Sequence, residues 1–202
     1  VNIPQILFGT TNQAKLDHIR TVTAPWPVQI LSPDDLGLTL DVTEDGRTAA
    51  ENALKKAQVY AAAAQLPTFA IDAALTIAGF PPEQQPGVYV RRIHQEDVHV
   101  TDEAVIDHYQ TALRACGGTT PGQWQIALAL VTADGQAQVE HYTIDTIFTA
   151  EPCAIQIPGA PLSSLMLDPV SRRYYVELPY AERPDSVCLQ KALSVLFQQL
   201  VD

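Results

Sequence analysis

The chain has no run approaching the roughly 20 apolar residues that a membrane-spanning helix needs. Its start, Val1-Asn2-Ile3-Pro4-Gln5, has neither a basic leader region nor a cleavage-site pattern, so no signal peptide is expected. Basic residues are scarce: 12 Lys and Arg stand against 23 Asp and Glu, a net charge of −11. That argues against a general nucleic-acid binder, which needs a basic footprint. It leaves room for a small anionic substrate, which a few well-placed cations can hold. Cysteine is also sparse. Cys116, Cys153 and Cys188 are odd in number and far apart, so they form neither a zinc pattern nor a disulfide framework. A reducing cytoplasm is the expected setting. There is no Walker-type phosphate loop, dinucleotide fingerprint or Gly-x-Ser-x-Gly elbow. His94 and His99, around Glu96 and Asp97, match no strong metal motif, and His108 and His141 read as surface residues.

What is present is a globular chain of 202 residues, 47% hydrophobic, long enough for one α/β domain or two closely joined lobes. Ile3–Phe8 reads as a buried strand, followed by the turn Gly9-Thr10-Thr11-Asn12 and a helix over 13–22. Val28–Leu31 reads as a short strand and 36–47 as irregular. Thr48-x-x-Glu51 is a capping box that opens a helix reaching residue 64. Thr68–Ala70 reads as a strand leading into Asp72, with Leu75–Ala78 continuing apolar. Asp102–Ala115 reads as a helix, and Trp124–Thr132 with Gln138–Thr149 as a hairpin turning at Asp134-Gly135. Pro158–Pro169 reads as a loop, Tyr174–Leu178 as a short strand or extended segment, and Asp185–Val201 as a closing helix. The order is that of a mixed α/β fold.

The most informative residue is Asp72, in Phe69-Ala70-Ile71-Asp72-Ala73-Ala74-Leu75. A bare carboxylate in an apolar run needs a cation, a metal ion or a catalytic role. The plainer alternative is a cap at the end of a strand. A carboxylate at the carboxyl end of a buried strand is also where α/β folds place their sites. Glu44 with Asp72 would suit Mg²⁺, which takes oxygen ligands and shares them with substrate phosphates. On the helix that follows Thr48, Glu51 and Lys55 share one side and have a local explanation, capping and an i,i+4 pair. Asn52 and Lys56 share the other side and could face an anion. Thr10, Asn12 and Lys15 surround a helix N-terminus, which suits phosphate or serves simply as an N-cap. Arg91 and Arg92, after the tight turn at Pro86-Gly87, could hold phosphate as bidentate donors or form a solvated edge.

In order along the chain, four segments resemble the Ham1 family, also called the inosine triphosphate pyrophosphatase family. They are Thr10-x-Asn12-x-x-Lys15, Glu44-Asp45-Gly46-x-Thr48-x-x-Glu51-Asn52-Ala53-x-x-Lys56-Ala57, Leu66-Pro67-x-x-Ala70-x-Asp72 with Leu75, and Pro86-Gly87-Val88-Tyr89. The resemblance implies a single domain over 1–202 with two lobes, a mixed sheet and a cleft between the lobes, assembled as a homodimer. It implies Mg²⁺-dependent hydrolysis of a nucleoside triphosphate to the monophosphate and pyrophosphate. By position, Thr10, Asn12, Lys15 and Lys56 would hold the triphosphate, and Glu44 and Asp72 the metal. Asp72 would also activate water, and Arg91 would replace a basic residue that some members carry after the Tyr.

The C-terminal half departs from the family pattern. The aromatic Gly-Phe-Gly segment that holds the base corresponds to Gly159-Ala160-Pro161-Leu162-Ser163-Ser164. The Glu-Lys-Asn-x-x-Ser-His-Arg element corresponds to Glu182 through Leu189, with Arg183 in place of the lysine and no Ser-His-Arg. Asp-Asp-Ser-Gly becomes Ile71-Asp72-Ala73-Ala74. Phosphate and metal chemistry is thus expected to persist while recognition of the base is lost or rebuilt. Two other readings follow from these departures. One is a phosphohydrolase of a different phosphorylated substrate, and the other is a degenerate homologue that binds nucleotide without turnover.

Overall fold

A computed structural model describes residues 3–91, 93, 100–198 and 200. Arg92, His94, Glu96, Asp97, His99 and Val201 lie outside the described residues. Among the described residues, one six-stranded mixed sheet is accompanied by four α-helices. The strands are β1 (Gln5–Phe8), β2 (Gln29–Leu31), β3 (Thr68–Ile77), β4 (Thr119–Val131), β5 (Ala137–Thr149) and β6 (Met166–Leu167), in spatial order β2-β1-β3-β4-β5-β6. The helices are α1 (Gln13–Thr23), α2 (Ala49–Ala64), α3 (Asp102–Ala115) and α4 (Pro184–Gln198).

The N-terminal strands pair in parallel, with Leu7 opposite Leu31 and Phe8 opposite Phe69. They are joined by α1 and α2, because parallel neighbours need a crossover that a two-residue turn cannot supply. Ile6, Leu7 and Phe8 are fully buried, as a strand covered on both faces requires. β6 closes the other edge antiparallel to β5, with Phe148 opposite Met166.

The chain divides into two compact units. The first comprises residues 1–73, 126–142 and 185–202. In it Phe8 stacks on Phe69 at 4.6 Å, and Phe197 of α4 meets Phe69 edge-on at 5.3 Å. The second comprises 74–125 and 143–184. Its core joins Leu75 and Ile77 to Val105, Ile106, Tyr109 and Leu113 of α3 and to Phe148, Leu165 and Met166.

Three elements differ from the expectations drawn from sequence. β3 is one ten-residue strand that runs straight through Asp72, so Asp72 is not a terminal cap. Tyr174–Leu178 is not a strand, since Tyr175–Glu177 forms a single 3-10 turn. The segment read as a loop after Pro158 contains a buried 3-10 turn, Pro161–Leu165, and then β6.

Candidate functional site

The first unit brings together Glu44, Lys56 and Asp72. Lys56 lies on the buried face of α2, eight residues beyond its N-cap. Its Nζ stands 3.3 Å from Asp72 Oδ1 and 3.1 Å from Glu44 Oε1. Lys56 and Asp72 are 8% and 7% exposed, whereas the Glu44 side chain is 38% exposed. Two carboxylates thus share one ammonium group. Asp72 Oδ2 is buried and has no hydrogen-bond partner among the described residues. A buried acceptor left in that state costs on the order of 1–3 kcal/mol unless a ligand completes it.

The position of Asp72 follows from strand register. β1 ends at Phe8, opposite Phe69, whereas β3 continues. At roughly 3.3 Å per residue, Asp72 projects about 10 Å past the end of β1. That is the carboxyl edge of the parallel strands, where α/β sheets bind ligands. The same edge launches the turn before α1, since the Gly9 amide donates to the Phe69 carbonyl at 2.8 Å. Thr10 Oγ1 accepts from the Asn12 amide, and Asn12 Oδ1 accepts from the Lys15 amide as the N-cap of α1. Thr10 and Asn12 therefore shape the turn, with Lys15 in the first helical turn.

The arm carrying Glu44 is fixed by α2. Thr48 caps the helix by accepting from the Glu51 amide. Glu51 reaches back to the Arg47 amide at 2.6 Å. Lys55 pairs with Asp45 at 2.6 Å, where sequence spacing suggested Glu51. Asn52, weighed above as a ligand for an anion, is instead 1% exposed and accepts from the Gly46 amide at 2.8 Å. A β-carbon on Gly46 would lie 2.6 Å from Asn52 Oδ1, so this tight turn needs glycine. A buried amide facing a glycine turn six residues earlier was the signal available for this role.

The two expected arginines belong to the second unit and have partners there. Arg91 pairs with Asp102 at 2.7 Å and donates to the Val100 carbonyl. The other oxygen of Asp102 accepts from the Gly159 amide at 2.6 Å. Asp102 thus ties Arg91 to the backbone at Gly159, a role that its place in the first turn of α3 did not reveal. Arg183 donates to the carbonyls of Leu178 and Val176 and lies over the rings of Tyr175 and Tyr180. In α4, Val187 is exposed, Cys188 half-buried and Leu189 buried.

A divalent cation fits the residues present. Glu44 and Asp72 meet at one nitrogen, so both are within reach of one hydrated ion, and the open Asp72 Oδ2 offers it an oxygen. Among the described residues no group of three His, Cys, Asp or Glu side chains forms a complete cage. Mg²⁺ sites that share their ion with phosphate typically use only one or two carboxylates. No helix among the described residues is long and apolar enough to cross a membrane.

Comparison with known proteins gives the family and the fold. The sequence profile of the Ham1 family matches residues 6–149. A protein of Bradyrhizobium sp. named dITP/XTP pyrophosphatase is 30% identical over 145 residues, 70% of this chain and 65% of its own length. A protein of the same name from Anaeromyxobacter dehalogenans is 41% identical over 88 residues, 43% of this chain and 37% of its own length. The chain spans about a third to two thirds of the length of the curated relatives it matches. Among solved structures, a HAM1 protein from Coxiella burnetii aligns with a TM-score of 0.74 over 95% of this chain and 98% of that one, at 22% identity. The Staphylococcus aureus Ham1 protein aligns with a TM-score of 0.71 over 97% of both chains, at 20% identity. This chain belongs to the Ham1 family.

Proposed function

We propose that the protein is a Mg²⁺-dependent nucleoside triphosphate pyrophosphohydrolase, converting NTP and water to NMP and pyrophosphate. The observation that carries this reading is the buried Asp72 carboxylate, shared with Glu44 through Lys56 and left with one open oxygen. Relatives named dITP/XTP pyrophosphatase support the same reaction class.

Glu44 and Asp72 would hold Mg²⁺, which on binding neutralises phosphate charge and aligns the phosphates. The amides at the start of α1, with Thr10, Asn12 and Lys15, would hold the triphosphate, because a helix N-terminus combines free N–H groups with a positive dipole end. Lys56 adds a buried positive charge beside the reacting phosphate. The Asp72 carboxylate would also accept the proton of the attacking water. Little covalent work is asked of the protein, as in phosphoryl transfer generally. Arg91 and Arg183 would bind substrate only by exchanging their present partners.

Specificity is the part of the reading most altered from the family. Val187, Cys188 and Leu189 stand where the family pattern has Ser-His-Arg, and Leu189 is only 4% exposed. Removing hydrogen-bonding groups from a base site can relax discrimination by about four powers of ten. A relaxed or shifted base preference among non-canonical purine nucleotides follows.

The test is pyrophosphate release with Mg²⁺ from ITP, dITP, XTP and the ordinary NTPs and dNTPs. Release from ITP, dITP or XTP alone supports the family activity with its specificity intact, and release from several bases supports relaxed specificity. Nucleotide binding without any release would overturn hydrolysis in favour of a binding role. Turnover of a phosphorylated compound other than a nucleotide would favour a phosphohydrolase of a different substrate.

A further inference from the structure

Tyr60 lies one helical turn beyond Lys56 on α2, on the same buried face, and is 3% exposed. It touches one segment that the proposed chemistry needs and shares a small core with another. One is the turn between β1 and α1. A β-carbon on Gly9 would lie 2.8 Å from Tyr60 Cδ2, so the ring sits directly against the backbone at Gly9. Gly9 immediately precedes Thr10, and its amide is fixed to β3.

The other is the arm that carries Glu44. Tyr60 shares a small core with Leu7 and Leu31, and Leu38, Leu40 and Val42 pack against it. Those three alternate with the exposed Thr39, Asp41 and Thr43. This period of two is that of extended chain, in which every second side chain takes the same face. Glu44 occupies the next inward position and reaches Lys56. The packing that seats Val42 therefore also sets the direction of Glu44.

We propose that Tyr60 is a positioning residue whose ring braces the Gly9–Thr10 turn against the 38–44 arm, so that the phosphate-holding turn and the Glu44 carboxylate address one bound triphosphate. The proposal rests on the function given above. Burial, and then the charges of Asp34 and Glu44, push the Tyr60 phenol above its usual range, so it stays protonated and adds no competing charge beside the carboxylate. Nothing covalent is asked of it. Its contribution is orientation, where a displacement of about 1 Å can cost about a hundredfold in rate.

The experiment compares wild type, Tyr60→Leu, Tyr60→Phe and Val42→Ala as full chains, below their measured thermal midpoints. Two quantities are read: pyrophosphate release as a function of Mg²⁺, and calorimetric binding of Mg²⁺-pyrophosphate. Tyr60→Leu removes the brace and is expected to lower kcat about tenfold and weaken Mg²⁺-supported binding about tenfold. Tyr60→Phe keeps the ring and is expected to recover most of both losses. Val42→Ala is a smaller deletion on the other side of the same contact and is expected to weaken Mg²⁺-supported binding about threefold, even if Tyr60→Leu fails to fold. A folded Tyr60→Leu that matches wild type in both quantities overturns the positioning role and leaves the proposed function standing. If Tyr60→Leu does not fold, an unchanged Val42→Ala overturns it equally. Wild type that neither releases pyrophosphate nor binds Mg²⁺-pyrophosphate overturns both.

Discussion

Lys56 Nζ stands 3.3 Å from Asp72 Oδ1, and both residues are more than nine-tenths buried. Removing one member of such a pair strands the other's charge away from water. Lys56→Met is therefore expected to destabilise the fold by about 3 kcal/mol, because both Asp72 and Glu44 lose their shared cation. Asp72→Asn is expected to cost less, since Lys56 keeps Glu44. Urea unfolding of the two variants checks the order.

The turn bearing Glu44 depends on Asn52. Asn52→Ala leaves the Gly46 amide without its acceptor and is expected to cost about 1–3 kcal/mol. Gly46→Ala should do comparable harm by forcing a β-carbon into Asn52 Oδ1 and Glu51 Cβ. In both, the weakened turn should loosen Lys55–Asp45 as well, which amide exchange at residues 45–47 would report.

Asp102 is expected to hold together parts of the second unit that are far apart in sequence. Asp102→Ala frees Arg91 and removes the acceptor of the Gly159 amide. Faster hydrogen exchange at Gly159 and a loss of about 1–3 kcal/mol are expected. Unchanged exchange at Gly159 would contradict the link.

Asp185 supplies a pH dependence. Burial raises its carboxyl to about 6, against the hydrogen bonds from Ser186, which lower it. His18 Nδ1 lies 3.5 Å away. An acid with a raised folded pKa binds its proton more tightly when folded. Its stabilising contribution is therefore complete below about 3.8 and is lost as pH rises through about 6, a swing of up to about 3 kcal/mol. Urea midpoints between pH 4 and 7 should show wild type losing stability relative to Asp185→Asn as pH rises.

Much of this was legible in sequence where a local rule decides the outcome. The capping box at Thr48, the apolar face of α3 and the turn at Asp134-Gly135 each announce an element without help from distant residues. Asp72 was legible because charge in an apolar run is costly wherever the run lies. Its place within β3 was not, since Ala73 and Ala74 carry neither a strand signal nor a breaker, and only pairing with a neighbour extends the strand. β6 is two residues long and exists only because β5 is beside it. Tyr174–Leu178 is rich in strand-forming residues, but turns because its backbone bonds locally, the Glu177 amide to the Tyr174 carbonyl and the Leu178 amide to the Tyr175 carbonyl. Asn52 and Lys56 share a helix face, yet one seats a turn and the other joins two acids. Spacing gives the face but not what lies opposite it. The commitments of Arg91 and Arg183 were hidden for the same reason, as their acceptors are set by tertiary contacts.

The role proposed for Asp72 is hydrolysis beside a metal ion. The most direct measurement is Mg²⁺-dependent pyrophosphate release by wild type and by Asp72→Asn, which keeps the shape of the side chain while removing its charge and its ability to accept the proton from water. Wild type is expected to turn over a nucleoside triphosphate only with Mg²⁺, and Asp72→Asn to fall by about three powers of ten while remaining folded. Turnover by Asp72→Asn at the wild-type rate would contradict the role assigned to Asp72.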